Sequence, residues 1–190
     1  MSDPVRTGGR AVRPDGAFIV WSVAEGLRGR RWRESITRSG GLGRSLLLEA
    51  SPGGGPRRLE LTTASGLLTL HPDEDGRLLH GNVVTPEGVR HLRFDWSFEH
   101  ELVVLGSPAA AAIALRRFAE ILAVGETRPV PVVAIDDALE PRAGTWEVTR
   151  TGTGSWTLGE NGAGEAEAIE IDAAGLPLLP GAETWPLALD

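Results

Sequence analysis

Cysteine is absent from the 190-residue chain, and so are lysine, tyrosine and glutamine. Without cysteine there is no disulfide, no thiolate metal site and no thiol nucleophile. A P-loop lysine, a Schiff base and a Ser-Lys dyad are excluded as well, because each needs a primary amine. All nineteen basic residues are therefore Arg. Long apolar runs are also missing, and none approaches the ~18 residues that a membrane-spanning helix requires. The opening MSDPVRTGGR has no apolar stretch of the kind a secretion signal uses. The expectation is a cytoplasmic protein without a membrane span.

What is present is ordinary globular composition, 41% hydrophobic and 24% charged, which supports a real core and argues against wholesale disorder. A single domain over residues 1–190 is expected, with residues 1–14 loosely ordered. The net charge of −7 is unevenly spread: residues 1–60 hold 11 Arg and 6 acids, whereas residues 120–190 hold 3 and 13. The cluster Arg28, Arg30, Arg31 and Arg33 is interleaved with Glu25 and Glu34 in an acidic chain. That balance points away from nucleic acid and toward a solvated strand face attracted to the acidic C-terminal third.

Period-2 alternation bounded by Gly, Pro and Asp places strands at 17–23, 31–38, 45–50, 57–63, 66–71, 77–84, 88–96 and 101–105. Further strands are expected at 130–136, 145–150, 155–158 and 166–172, with short pieces near Leu176 and Leu187. Glycine-rich loops fall at 40–43, 51–56 and 159–165. Asp73-Glu74-Asp75-Gly76 and Thr85-Pro86-Glu87-Gly88 have the residue order of tight turns. Strands this closely spaced imply antiparallel sheet without crossover units. Pro129 and Pro131 cannot donate ladder hydrogen bonds, which puts one side of the strand at 130–136 on an edge or at a bulge.

One segment has a different period. Ala111, Ala114, Leu115, Phe118, Ile121 and Leu122 recur at helical spacing, with Arg116, Arg117 and Glu120 mainly opposite. Ser107 stands at the N-cap position, Pro108 at the first helical position and Gly125 past the end. The expected fold is mainly β: a strongly curved antiparallel sheet, as a spiral β-roll or open barrel, with one amphipathic helix at about 107–124.

Chemistry-bearing residues are few. If Thr85 and Gly88 close their hairpin, Asn82 lies opposite His91 and His80 opposite Arg93. His80, Asn82, His91, Arg93 and Asp95 then share one face. His80, His91 and Asp95 are the candidate acid-base groups, although ordinary polar alternation on the wet side of a hairpin predicts the same residues. No metal site and no cofactor is expected. Six Trp against four Phe suit core packing first, and apolar or sugar ligands second. The adjacent Asp136 and Asp137 read as a strand end in water, and Ser155 lacks the flanks of a nucleophile elbow.

From residue 107 to residue 186 the chain carries SP…ALRRF, then VGETRPVPVVAIDDALEP, then a Trp-containing strand pair, then AEAIEIDAAGLPLLPGAETW. This order resembles the glycolipid-binding family of spiral β-rolls, in which a paired-Arg segment precedes a Gly and an apolar strand. In that family a closing stretch runs through an aspartate, a Gly-Leu step and a Pro-Gly before Trp. The matching positions are Arg116 and Arg117, Gly125 with residues 130–136, and Asp172, Gly175, Leu176, Pro180, Gly181 and Trp185. The resemblance implies an all-β roll, likened to periplasmic lipoprotein carriers, and a binding role without catalytic residues. An alanine-rich helix stands here where the family tends to an irregular Asn- and Pro-containing segment. The first hundred residues match only as antiparallel strands.

The leading expectation is non-enzymatic binding of an apolar or amphipathic ligand, lipid- or glycolipid-like, on the concave side of the sheet. Trp96, Arg93, Arg116, Arg117 and Trp146 are the candidate ligand-binding residues. One alternative is a small-molecule isomerase or cyclase using the His/Asp group in the same cavity. The other is a protein-interaction module presenting the edge at 130–136.

Overall fold

The structure is a computed structural model and describes residues 5–39, 41–161 and 166–187. In chain order the elements are β1 (Val5–Val12), β2 (Phe18–Gly26), β3 (Gly29–Arg38), β4 (Gly41–Ala50), β5 (Pro56–Thr63), β6 (Gly66–Pro72) and β7 (Leu78–Thr85). They continue with β8 (Gly88–Asp95), β9 (Glu101–Val104), α1 (Pro108–Phe118), β10 (Thr127–Ile135), β11 (Arg142–Arg150), β12 (Ser155–Glu160), β13 (Glu167–Glu170) and β14 (Glu183–Pro186). Two curled sheets result. The nine-stranded sheet runs β14-β1-β2-β3-β4-β5-β6-β7-β8, and the five-stranded sheet runs β13-β12-β11-β10-β9.

Strands β1 to β8 form an antiparallel meander because short turns join strands of matched length. Several of these turns close on a glycine. At Gly29 the backbone has φ +106 and a Cβ would stand 2.0 Å from the Ala50 carbonyl oxygen, so both conformation and space demand glycine. Alternation then sorts each strand. In β3, Arg30, Trp32, Glu34 and Ile36 point inward while Arg31 and Arg33 point to water. The expected solvated Arg face is thereby corrected at Arg30, whose parity with Trp32 and Ile36 turns it into the molecule.

Three expectations about connectivity change. Residues 5–12, anticipated as a loose lead-in, form β1, which pairs with β2 and β14; residues 1–4 lie outside the described part. The chain does contain a crossover: β9 and β10 are parallel neighbours, and α1 is the connection between them. The strand expected at an edge, residues 130–136, is β10, which has β11 on one side and β9 on the other from Val132 onward. Only its first half, which contains Pro129 and Pro131, lacks a partner on the β9 side. Of the expected loops, residues 51–55 form one, residues 41–43 belong to β4, and residues 40 and 162–165 lie outside the described part.

The helix begins as expected. The Ser107 hydroxyl accepts from the Ala110 amide at 3.1 Å, with Pro108 in the first turn. It ends at Phe118, six residues before the expected limit of 124. The guanidinium of Arg150 on β11 donates to the carbonyls of Ala119 (3.0 Å) and Leu122 (2.7 Å), so tertiary contacts take up acceptors at the helix end. Nor is one face wet along the whole helix. Ala109, Ala110 and Ile113 join the cluster lined by the nine-stranded sheet, while Ala111, Ala112, Leu115 and Phe118 join the cluster of the five-stranded sheet.

The inner face of the nine-stranded sheet is packed. Trp21, Trp32, Leu48, Leu61, Leu70 and Leu79 are at most 2% exposed and belong to one apolar cluster that also takes in α1. The hollow on which a concave-side ligand depends is filled by these side chains. Close strand spacing is part of that packing: a Cβ on Gly81 of β7 would sit 1.8 Å from the Thr69 carbonyl oxygen of β6. Gly81→Ala is expected to destabilise the fold by about 2–3 kcal/mol. Gly144→Ala on β11, where a Cβ meets nothing within 4 Å, should stay within about 0.5 kcal/mol of the parent. Urea midpoints at unchanged slope check both.

Candidate functional site

A cleft of 280 Å³ opens where the last turn of α1 meets two turns of the nine-stranded sheet. Glu25, Gly26, Gly29 and Arg30 come from the β2–β3 turn and its flanks, Ser51 to Gly54 from the β4–β5 loop, and Ile113, Arg116, Arg117 and Glu120 from the helix side. Three arginine residues therefore line one small opening. The loop turns at Gly54 with φ +87, a conformation that favours glycine, and lies beside the helix, where a Cβ would make ordinary contact with Cβ of Arg117 at 3.6 Å.

Glu25 links two of the three. Its carboxylate accepts from Arg30 Nη2 at 2.6 Å and from Arg116 Nη1 at 2.9 Å. Burial pushes the Glu25 carboxyl up, but the hydrogen bonds from Arg30 and Arg116 outweigh it and leave the group below the usual glutamate range. Arg30 also donates to the carbonyls of Ala174 (2.9 Å) and Gly175 (3.4 Å). Its side chain is only 7% exposed, and its Nε–H has no hydrogen-bond partner among the described residues. Burial lowers the Arg30 pKa, with Glu25 acting in the opposite direction. A smaller cleft of 140 Å³, walled by Thr7, Val23 and Leu176, is also lined by Glu25, Arg30 and Arg116.

Arg117 is held differently. Its Nη1 donates at 2.9 Å to Glu101 on β9, a carboxyl group that is almost fully buried. Burial pushes Glu101 up to about 8, with the Arg117 guanidinium pulling it down. A second buried carboxyl, Glu34, lies at the start of the helix and accepts from the Ala109 amide at 3.2 Å and from Arg44 Nη2 at 3.4 Å. Burial raises it too, against the opposing pull of Arg44 and the Ala109 amide. Glu34 lines none of the clefts described here, and Arg44 ties it to the Leu105 and Gly106 carbonyls and to Asp137. This group is a clasp on the helix start.

The β7–β8 hairpin has the expected register, with Asn82 opposite His91, His80 opposite Arg93 and Leu78 opposite Asp95. His91 Nδ1 lies 2.6 Å from Asn82 Oδ1, and the His80 ring packs edge-on against His71 with centroids 4.0 Å apart. His91, Arg93 and Asp95 are exposed and His80 is half-buried. These candidate acid-base residues lie on the outer side of the sheet, because Leu79 and Val83 occupy the inner side of the same strand. Among the described residues no three His, Asp or Glu side chains are grouped to hold a metal ion.

Trp96 and Trp146 are buried in separate clusters, and neither lines a cleft described here. Arg93 is also remote from the Arg-lined opening. Of the five candidate ligand residues, only Arg116 and Arg117 come together. Arg30 completes their group and was missed as a site residue, although the inward parity of Trp32 and Ile36 carries the signal. The loop at 51–55 was recognised as a loop, but nothing in the sequence places it beside the helix.

The molecule thus belongs to the class of mainly β folds in which curled antiparallel sheets enclose one helix. It is similar to the crystal structure of a DUF1089 family protein from Pseudomonas aeruginosa determined at 1.80 Å, with a TM-score of 0.53 and 19% identity over 93% of this chain and 89% of that chain. At this identity the likeness is one of fold. No family profile matches the sequence, and no curated protein matches it.

Glu101 gives the site a pH signature. The folded chain retains the Glu101 proton up to about 8, whereas an ordinary Glu releases it near 4.5. Over that window the folded state binds more protons than the unfolded state, so Glu101 makes stability fall as pH rises from about 4.5 to about 8. Glu101→Gln should flatten this decline, with urea midpoints across that range as the measure. A variant whose midpoint follows pH as steeply as the parent contradicts the assignment.

Proposed function

We propose that the protein is a non-enzymatic binder of an amphipathic, lipid- or glycolipid-like ligand whose anionic group lies in the Arg-lined cleft at the end of α1. The observation that carries this reading is the convergence of Arg30, Arg116 and Arg117 on one opening. A guanidinium offers planar paired donors suited to a carboxylate or phosphate. Glu25 occupies one donor of Arg30 and one of Arg116, which leaves Arg116, itself exposed, with donors free to take an incoming anion. The cleft volume of 280 Å³ is at the small end of ligand sites, roughly 300–1,000 Å³. It suits a headgroup, not a whole lipid. The packed interior moves the proposed ligand from the concave side to the mouth of the fold. The residue pattern that resembles the glycolipid-binding family includes Arg116 and Arg117.

The test is titration with a soluble short-chain phosphatidic acid against the phosphatidylcholine of the same chains, followed by calorimetry. The anionic lipid should bind more tightly, and Arg116→Ala should weaken it about tenfold or more, the range for a charge-assisted hydrogen bond. No binding, or equal binding by parent and variant, contradicts the proposal.

A further inference from the structure

A third depression, a groove of 300 Å³, lies beyond Arg117. Phe98, Phe118, Ile121, Val130, Pro129 and Pro131 give it an apolar lining, with Glu99 and Arg128 also present. Arg117 lines both this groove and the Arg-lined cleft. In a chain whose large apolar side chains are mostly packed away, Phe98 is 80% exposed and Ile121 55% exposed. Both line the same groove, which makes them part of one local apolar surface beside the shared arginine.

The backbone of the groove wall is unusual in the same direction. The Ile135 carbonyl accepts from the Leu105 amide, which shows that the odd-numbered residues of β10 direct their backbone groups toward β9. Pairing with β9 starts only at Val132, so Pro129 and Pro131 face the unpaired part of that edge. Any other residue there would present an N–H donor to an apolar groove. Proline has none. The wall therefore lacks two donors that would otherwise require partners.

We propose that this groove is a subsite for the apolar portion of the ligand whose anionic group occupies the Arg-lined cleft, with Arg117 as the common wall. The inference rests on the anion-site reading and adds where the rest of the ligand lies and what its chemistry is: a short aliphatic chain attached to the anion. A polar extension, such as a sugar or nucleoside, would leave Phe98 and Ile121 unserved.

The experiment is a homologous series, inorganic phosphate followed by n-alkyl phosphates from methyl to octyl below their micelle concentrations, titrated into the full chain by calorimetry and backbone-amide NMR. Affinity should rise about fourfold for each methylene the groove covers and level off once the groove is full. Phe98→Ser and Ile121→Ser, both at exposed positions, should leave inorganic phosphate binding unchanged and remove the chain-length dependence. Amide shifts around residues 128–131 should appear with the alkyl phosphates and not with phosphate. If phosphate binds but chain length has no effect, or if both Ser variants retain the full chain-length gain, the subsite is overturned while the anion site stands. If no member of the series binds, the anion-site reading falls and the subsite falls with it.

Discussion

An eleven-residue helix buried between two sheets is the constraint on which the rest of this structure depends. A helix with one wet face would tolerate large side chains and open ends. A helix enclosed on both sides needs small side chains where the sheets come closest and polar partners at its ends. The run Ala109 to Ala112 with Ala114 lets both sheets approach closely, and Ile113, Leu115 and Phe118 supply the larger contacts, Ile113 toward one sheet and Leu115 and Phe118 toward the other. The helix ends carry backbone groups that cannot be left dry. Ser107 and Glu34 accept amides at the start, and Arg150 donates to carbonyls at the finish. Ser107 and Glu34 come from the polar minority of an otherwise apolar interior, and Arg150 reaches in from a half-buried position.

The buried charges follow from the same arrangement. Glu34 lies at the helix N-terminus, where peptide dipoles favour an anion, and Arg44 faces it. Arg44 in turn holds the carbonyls of residues 105 and 106 at the entry to the helix. A buried pair of this kind contributes little net stability once the loss of solvation is counted, but removing one partner leaves the other unsolvated and alone. Its consequence is geometric: the crossover from β9 to α1 is pinned to β3 and β4, and the helix can emerge in only one direction.

That direction decides where the arginines go. With its start clasped to the sheet, α1 delivers Arg116 and Arg117 to the turn after β2 and the loop after β4, where Arg30 already points inward. The carboxylates that meet them, Glu25 and Glu101, lie in different environments. Glu25 shares two guanidinium groups and stays ionised. Glu101 meets Arg117 and is desolvated enough to hold its proton near neutrality. The opening thus combines a bridged arginine pair with an arginine whose partner titrates.

The strands of the meander, the hairpin register from His80 to Arg93 and the start of the helix were legible in the sequence. Each is governed by neighbours a few residues away: alternation, turn residues and a cap. The end of the helix was not, because Arg150, thirty-two residues downstream of Phe118, supplies the donors that stop it. β1 was missed although β2 follows it directly, because its residues, with Gly8 and Gly9 at the centre, show no apolar alternation. His80, His91 and Asp95 were grouped correctly on one face, yet which face turns outward depends on the burial of Leu79 and Val83. Arg30 was readable by parity and became a site residue only when α1 arrived beside it. Local chemistry along the chain determined which residues form strands and which begin a helix. Only the tertiary structure decided that the interior is solid and that the arginines meet at its mouth, since filling a core and converging charges depend on contacts between segments far apart in sequence.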